Sequence, residues 1–159
     1  MQVTRDEQKY TVADGHDWFW KIFADKSWEP STFKIFDKFL EADKTFVDIG
    51  AWIGPTVLYA APRAKRVFAF EPDAVAYRSL VQNIEFNKLS NVVPYPVAVA
   101  DRWKGMDFGA KQVFGDSMSS ERWAVKGGRQ VPAISLEAVV LDLAPNFIKI
   151  DIEGGERTI

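Results

Sequence analysis

Apolar and polar positions alternate between two rhythms along the chain, and the switches between them predict its elements. Short runs of strand formers at residues 45–49 (TFVDI), 66–70 (RVFAF), 92–100 (VVPYPVAVA) and 146–151 (NFIKID) lack a polar face, the pattern of buried parallel strands. Between them lie helical spacings. Phe33, Phe36 and Leu40 fall on one face of a helix over 32–41, with Ser31 as its expected N-cap. Tyr77, Leu80, Val81 and Ile84 do the same over 74–86, where Asp73 can cap. A short helix begins at Pro55 and is stopped by Pro62, and another runs from a Ser135 cap to Leu143. The order strand–helix–strand predicts an α/β domain with a mostly parallel sheet.

The remaining stretches are less regular. Residues 1–15 are polar and expected to be loosely held, with a turn at Asp14-Gly15. An aromatic patch follows at 16–23 (HDWFWKIF); it reads as a helix packed on the domain, or as a wall for an acceptor. His16, the sole histidine, is read as structural, with a general-base role as the alternative. Together these form an aromatic, helical cap over 1–45, ahead of an α/β core over 46–159. Pro94 and Pro96 push the third strand toward the sheet edge. Residues 102–130 show no sustained period, carry the tract 116–120 (DSMSS), and read as a hairpin excursion from the sheet. A short strand is expected at 131–134.

Composition narrows the function classes. The 159 residues are 47% hydrophobic and 14% aromatic, a globular composition. A formal charge of −2 argues against gripping a nucleic-acid backbone as the main task. With no cysteine there are no disulfides, thiolate metal sites or thiol nucleophile. No apolar run approaches a membrane span and the first ten residues lack a signal-peptide core, so a cytoplasmic protein without a membrane partner is expected.

The candidate chemistry starts at the turn after the first strand. Gly50 and Gly54 bracket Ala51, Trp52 and Ile53, and Glu71 ends the second strand about 20 residues on, the spacing at which a carboxylate meets a nucleoside ribose. A dinucleotide turn wants G-x-G-x-x-G. Here Asp48 opens the turn, and a carboxylate there would repel a pyrophosphate. It suits the cationic S-adenosylmethionine, so D-x-G-x-x-x-G with Glu71 favours that cofactor over NAD. Ala51, Trp52, Pro72 and Asp73 flank this site, and Val99 and Asp101 at the end of the third strand complete the cofactor set, Asp101 near the adenine. The second cluster is Asp151, Glu153 and Glu156, with Lys149 on the same strand face as Asp151. Clustered carboxylates raise one another's pKa, so one can serve as general base; helix capping is the alternative. No metal is assigned.

Three stretches carry a family resemblance: VDIGAWIG (47–54), VFAFEPD (67–73) with a following helix that ends N-x-x-x-N, and IKIDIEGGE (148–156). The chain resembles the FkbM-type S-adenosylmethionine-dependent methyltransferases from about Phe46 onward. The resemblance implies a Rossmann-like class I methyltransferase fold and O-methylation of hydroxyls on saccharides or small-molecule natural products. It implies Asp48, Gly50 and Gly54 around the methionine end, Glu71 on the ribose and Asp151 at the reaction centre. Trp52 departs from the small polar residue common at its position. An NAD-linked oxidoreductase and a non-catalytic cofactor-binding module are the other classes open to this sequence. The family's sheet continues for three more strands, so the edge at residues 147–150 is expected to be open and prone to self-association.

Overall fold

The computed structural model describes residues 1–101, 104–110, 113–116, 119–120, 128–156 and 159. At its centre is a parallel sheet of four strands in the order β10-β3-β4-β5, namely β3 (Thr45–Ile49), β4 (Arg66–Phe70), β5 (Val92–Tyr95) and β10 (Phe147–Ile150). Strand alternation divides the core in two. Phe46, Val67 and Ala69 face a layer containing α1 (Asp17–Ala24), α2 (Pro30–Phe39), α3 (Pro55–Ala60) and α4 (Ala74–Phe86). Val47, Ile49, Phe68 and Phe70 face the other way, where Val139 of α5 (Leu136–Leu143) meets them.

Several expectations need correction. Residues 1–15 are not loose: β1 (Gln2–Arg5) and β2 (Gln8–Thr11) form an antiparallel hairpin that buries Val3, Tyr10 and Val12. Two asparagines one turn apart on α4 hold it. Asn87 exchanges two hydrogen bonds with the Thr11 backbone, and Asn83 accepts from Ala13 N at 2.7 Å while donating to Ile53 O at 2.7 Å. The N-x-x-x-N ending is thus a clamp joining the hairpin to the glycine turn. Arg5 is buried as well, its guanidinium 3.7 Å from the Phe33 ring centroid and bonded to Phe23 O.

Helix α2 starts earlier than expected. Pro30 takes the first position behind a left-handed Glu29, so Ser31 is not the cap. The expected third strand breaks at its second proline. Val92–Tyr95 stays on the central sheet's edge, while β6 (Ala98–Ala100) pairs with β9 (Arg129–Ser135). The excursion does hold a long strand, β7 (Lys104–Ala110), antiparallel to β9 and to β8 (Ser119–Ser120), giving a second sheet in the order β6-β9-β7-β8. Ser117 and Met118 of the serine tract lie outside the described residues. Among the described residues no helix is long and apolar enough to cross a membrane.

Candidate active site

The carboxyl ends of β3, β4 and β10 open into one cavity, where open α/β sheets place their ligands. Its inner wall is the turn Gly50–Trp52 with Glu71 and Pro72, joined by Val97–Val99, and its floor is Lys149, Asp151, Ile152 and Glu153. Parallel register sets Lys149 beside Asp48 on one sheet face. Lys149 Nζ donates to Asp48 Oδ1 and to Gly50 O, both at 3.1 Å, and stands 3.6 Å from Asp151 Oδ2. Desolvation opposes its charge, but Asp48 and then Asp151 outweigh that loss and hold its pKa above the ordinary lysine value.

Asp48 is fully buried, and its other oxygen accepts from Thr56 Oγ1 at 2.5 Å. Burial pushes its pKa up, against Lys149 and Thr56. Asp48 therefore acts on the site through Lys149 and the turn, and is not among the lining residues.

Glu71 is buried at the end of β4. It accepts from Trp52 N at 2.8 Å on one oxygen and from Asp73 N at 2.7 Å on the other. Burial raises its pKa to about 7, against those two bonds. One N–H on each oxygen leaves the carboxylate with acceptor sites to spare for ribose hydroxyls.

The two glycines make room for protein. A Cβ on Gly50, at φ +79°, would come within 1.9 Å of Asp151 O. One on Gly54, at φ +91°, would meet Leu80 Cδ1 at 2.7 Å. Gly50 thus lets β10 close against the turn, and Gly54 lets α4 pack beneath it. Gly54 does not line the cavity, though Gly50 and Ala51 do.

The other candidates divide similarly. Asp73 is buried as the cap of α4, accepting from Val75 N and Ala76 N, and its second oxygen accepts from Gly115 N at 2.5 Å. Asp101 is exposed past β6, away from the cavity that Val99 lines. Asp151 and Glu153 share the floor, and burial followed by Asp151 and Glu156 raises the Glu153 pKa. Glu156 is exposed and caps a turn: it accepts from Ile152 N at 2.8 Å and Gly154 N at 2.9 Å, and its own backbone N–H, followed by those of Ile152, Gly154 and Glu153, outweighs desolvation and lowers its pKa. His16 stands edge-on to Trp52 with ring centroids 5.3 Å apart, and burial lowers its pKa. Among the described residues no group of three or more His, Asp or Glu is placed to hold a metal ion.

Trp18, from the aromatic patch whose alternative reading is an acceptor wall, lines the cavity. Sequence reasoning missed three further lining residues, Trp28, Glu29 and Asp116. The aromatic patch was the available signal for Trp18; nothing local marks Glu29.

Comparisons with known proteins bear on this geometry. The family described as Methyltransferase FkbM domain matches residues 48–159. The methyltransferase FkbM of Methylobacillus flagellatus KT is 21% identical with a TM-score of 0.50, over 74% of this chain and 28% of its own. An rRNA methylase from Streptococcus thermophilus is 18% identical (TM-score 0.41), over 43% of this chain and 41% of its own. A candidate methyltransferase from Streptococcus mutans in complex with SAH is 17% identical (TM-score 0.42), over 43% of this chain and 39% of its own. The chain therefore spans well under half the length of each of these structures. No curated protein sequence matches it.

Proposed function

The chain belongs to the FkbM methyltransferase domain family, and from that premise we propose that its site serves methyl transfer to a hydroxyl oxygen of a saccharide or small-molecule acceptor. The cofactor is S-adenosylmethionine, and the NAD-linked alternative falls with the family. The observation that carries the reading is that one cavity joins the Gly50–Trp52 turn and Glu71 to Asp151 and Lys149.

The cofactor supplies a methyl group on a sulfonium, already a good leaving group, so the chain's task is to orient and deprotonate. Glu71 takes the ribose hydroxyls on its free acceptor sites. The carboxylates on the floor suit the cationic end of the donor. Asp151 accepts the hydroxyl proton as the new O–CH3 bond forms and the S–CH3 bond breaks, and Glu153 stands beside it. Lys149 positions both halves, since it bonds the Gly50 carbonyl and stands against Asp151.

Asp151→Asn tests the assignment. Methyl transfer to a panel of glycosides is expected to fall about 10²–10⁴-fold, the size of a general-base effect, with S-adenosylhomocysteine affinity nearly unchanged. A variant with parental turnover would leave Asp151 no proton-transfer role.

A further inference from the structure

The outer wall decides which acceptor this cavity takes. Helix α1 sends Phe19, Trp20 and Phe23 into the core, while Trp18 remains 62% exposed and lines the cavity. Trp28 lines it too, half-buried, and both indoles stand edge-on to Phe19, at 5.9 Å for Trp18 and 5.0 Å for Trp28. Glu29 follows at the start of α2, its carboxylate fixed by a 2.9 Å bond from Thr32 Oγ1. It lines the same cavity as Lys149 and Glu153 of the floor.

Charge around that space is one-sided. Among the described residues the lining carries five carboxylates, Glu29, Glu71, Asp116, Asp151 and Glu153, against one amine, Lys149. That amine is already engaged by Asp48 and Asp151. A phosphate entering here meets repulsion and finds no guanidinium fork among these residues. Indole faces beside a carboxylate offer instead a stacking surface and cation–π attraction for an ammonium.

Resting on the methyl-transfer reading, we propose that Trp18, Trp28 and Glu29 form the acceptor subsite, and that it selects an unphosphorylated, amine-bearing polyol such as an amino sugar. Glu29 is the residue that distinguishes the amine from a hydroxyl, and the two indoles hold the sugar's apolar face. The acidic wall turns away sugar phosphates and nucleic acid.

The test uses this chain saturated with S-adenosylhomocysteine and four probes: methyl glucosaminide, methyl glucoside, glucose 6-phosphate and a short RNA oligonucleotide. Binding is followed by indole fluorescence and NMR. The glucosaminide is expected to bind best and the two phosphate-bearing probes worst. Glu29→Gln should remove a preference of about fivefold for the glucosaminide over the glucoside, leaving the glucoside unaffected. Trp18→Ala should weaken both glycosides about threefold. S-adenosylhomocysteine affinity should stay within about twofold in both variants, since neither residue flanks the glycine turn. Tightest binding by RNA or by the phosphorylated sugar overturns the proposal, as does a preference that Glu29→Gln leaves intact. A chain that binds S-adenosylhomocysteine but no glycoside overturns the subsite and spares the methyl-transfer reading. Failure to bind S-adenosylhomocysteine overturns both.

Discussion

At the scale of single residues, the cofactor side of the site turns on one buried carboxylate. Glu71 holds the Trp52 and Asp73 amides together, and its pKa stands at about 7, well above the ordinary 4.5. A folded-state pKa raised above the unfolded one makes a contribution to stability that is complete below about 4.5 and lost as pH rises through about 7. With the proposed ribose contact, ligand binding is expected to run the other way, because only the ionised form offers ribose its full acceptor capacity. S-adenosylhomocysteine affinity is therefore expected to rise between pH 6 and 8 (about a unit either side of that pKa), and calorimetry in Glu71→Gln should give a flat profile. A parental profile as flat as the variant's would remove Glu71 from the ribose. Glu71→Ala should cost about 1.5–3 kcal/mol of binding at neutral pH, the worth of a hydrogen bond to a charged group. Spacing brought Glu71 to the cavity, since one strand–helix–strand unit returns the chain beside the glycine turn, although its partner Trp52 lies 19 positions back. Asp48 was harder to read. Its burial follows from Lys149, 101 positions away, and no local pattern tells whether a strand-end carboxylate faces a ligand or a lysine on the next strand.

Among the elements, the glycine turn gathers contacts from β10, α4 and the excursion. Its two glycines predict a graded effect. Gly50→Ala forces left-handed backbone on a Cβ that would overlap Asp151 O, and should destabilise by about 3 kcal/mol and displace Asp151. Gly54→Ala meets only the Leu80 methyl and should cost about 2 kcal/mol. Urea melts give the ranking; a milder Gly50 variant would mean that β10 does not close on the turn in solution. Trp52 adds a tie that the family resemblance did not imply. Its indole Nε1 donates to Gly115 O at 3.0 Å, while Gly115 N donates to Asp73. The excursion is thereby fixed to the side chains of the two residues whose amides donate to Glu71. Trp52→Phe keeps the ring and drops the bond, and should speed amide exchange at Gly115 about fivefold, the worth of one neutral hydrogen bond. Unchanged exchange would show that the Asp73 bond alone holds the loop. The hydrophobic rhythm located β4 and α4 to the residue and β10 to within one residue at each end, because buried periodicity is a local signal, but it ran β5 on past Pro96 into β6. The N-terminal hairpin escaped it, since its polar strands are held by Asn83 and Asn87 on a distant helix. So did β7, whose pairing with β9 depends on partners more than twenty residues on.

Across the whole molecule, the central sheet has two edges of different character. On one side β5 carries Pro94, which removes a backbone donor, and the chain then leaves for the second sheet. On the other side β10 reads FIKI, and among the described residues β3 is its only strand neighbour. Lys149, the one charge in β10, points into the site and is neutralised by Asp48, so it does not guard the edge. Ile150 is 37% exposed beside the site's rim. An apolar edge with unpaired N–H and C=O groups is a template for a further strand, and the chain is expected to self-associate through it as concentration rises. Ile150→Lys places a charge on that edge while leaving the Lys149–Asp48 pair and the Phe46–Phe147 stack untouched. Sedimentation should then show the parent associating and the variant remaining monomeric, with S-adenosylhomocysteine binding retained as evidence that the site stays folded. A parent that is monomeric at millimolar concentration would show that β10 is covered in solution. A variant that associates as the parent does would place the contact elsewhere on the surface.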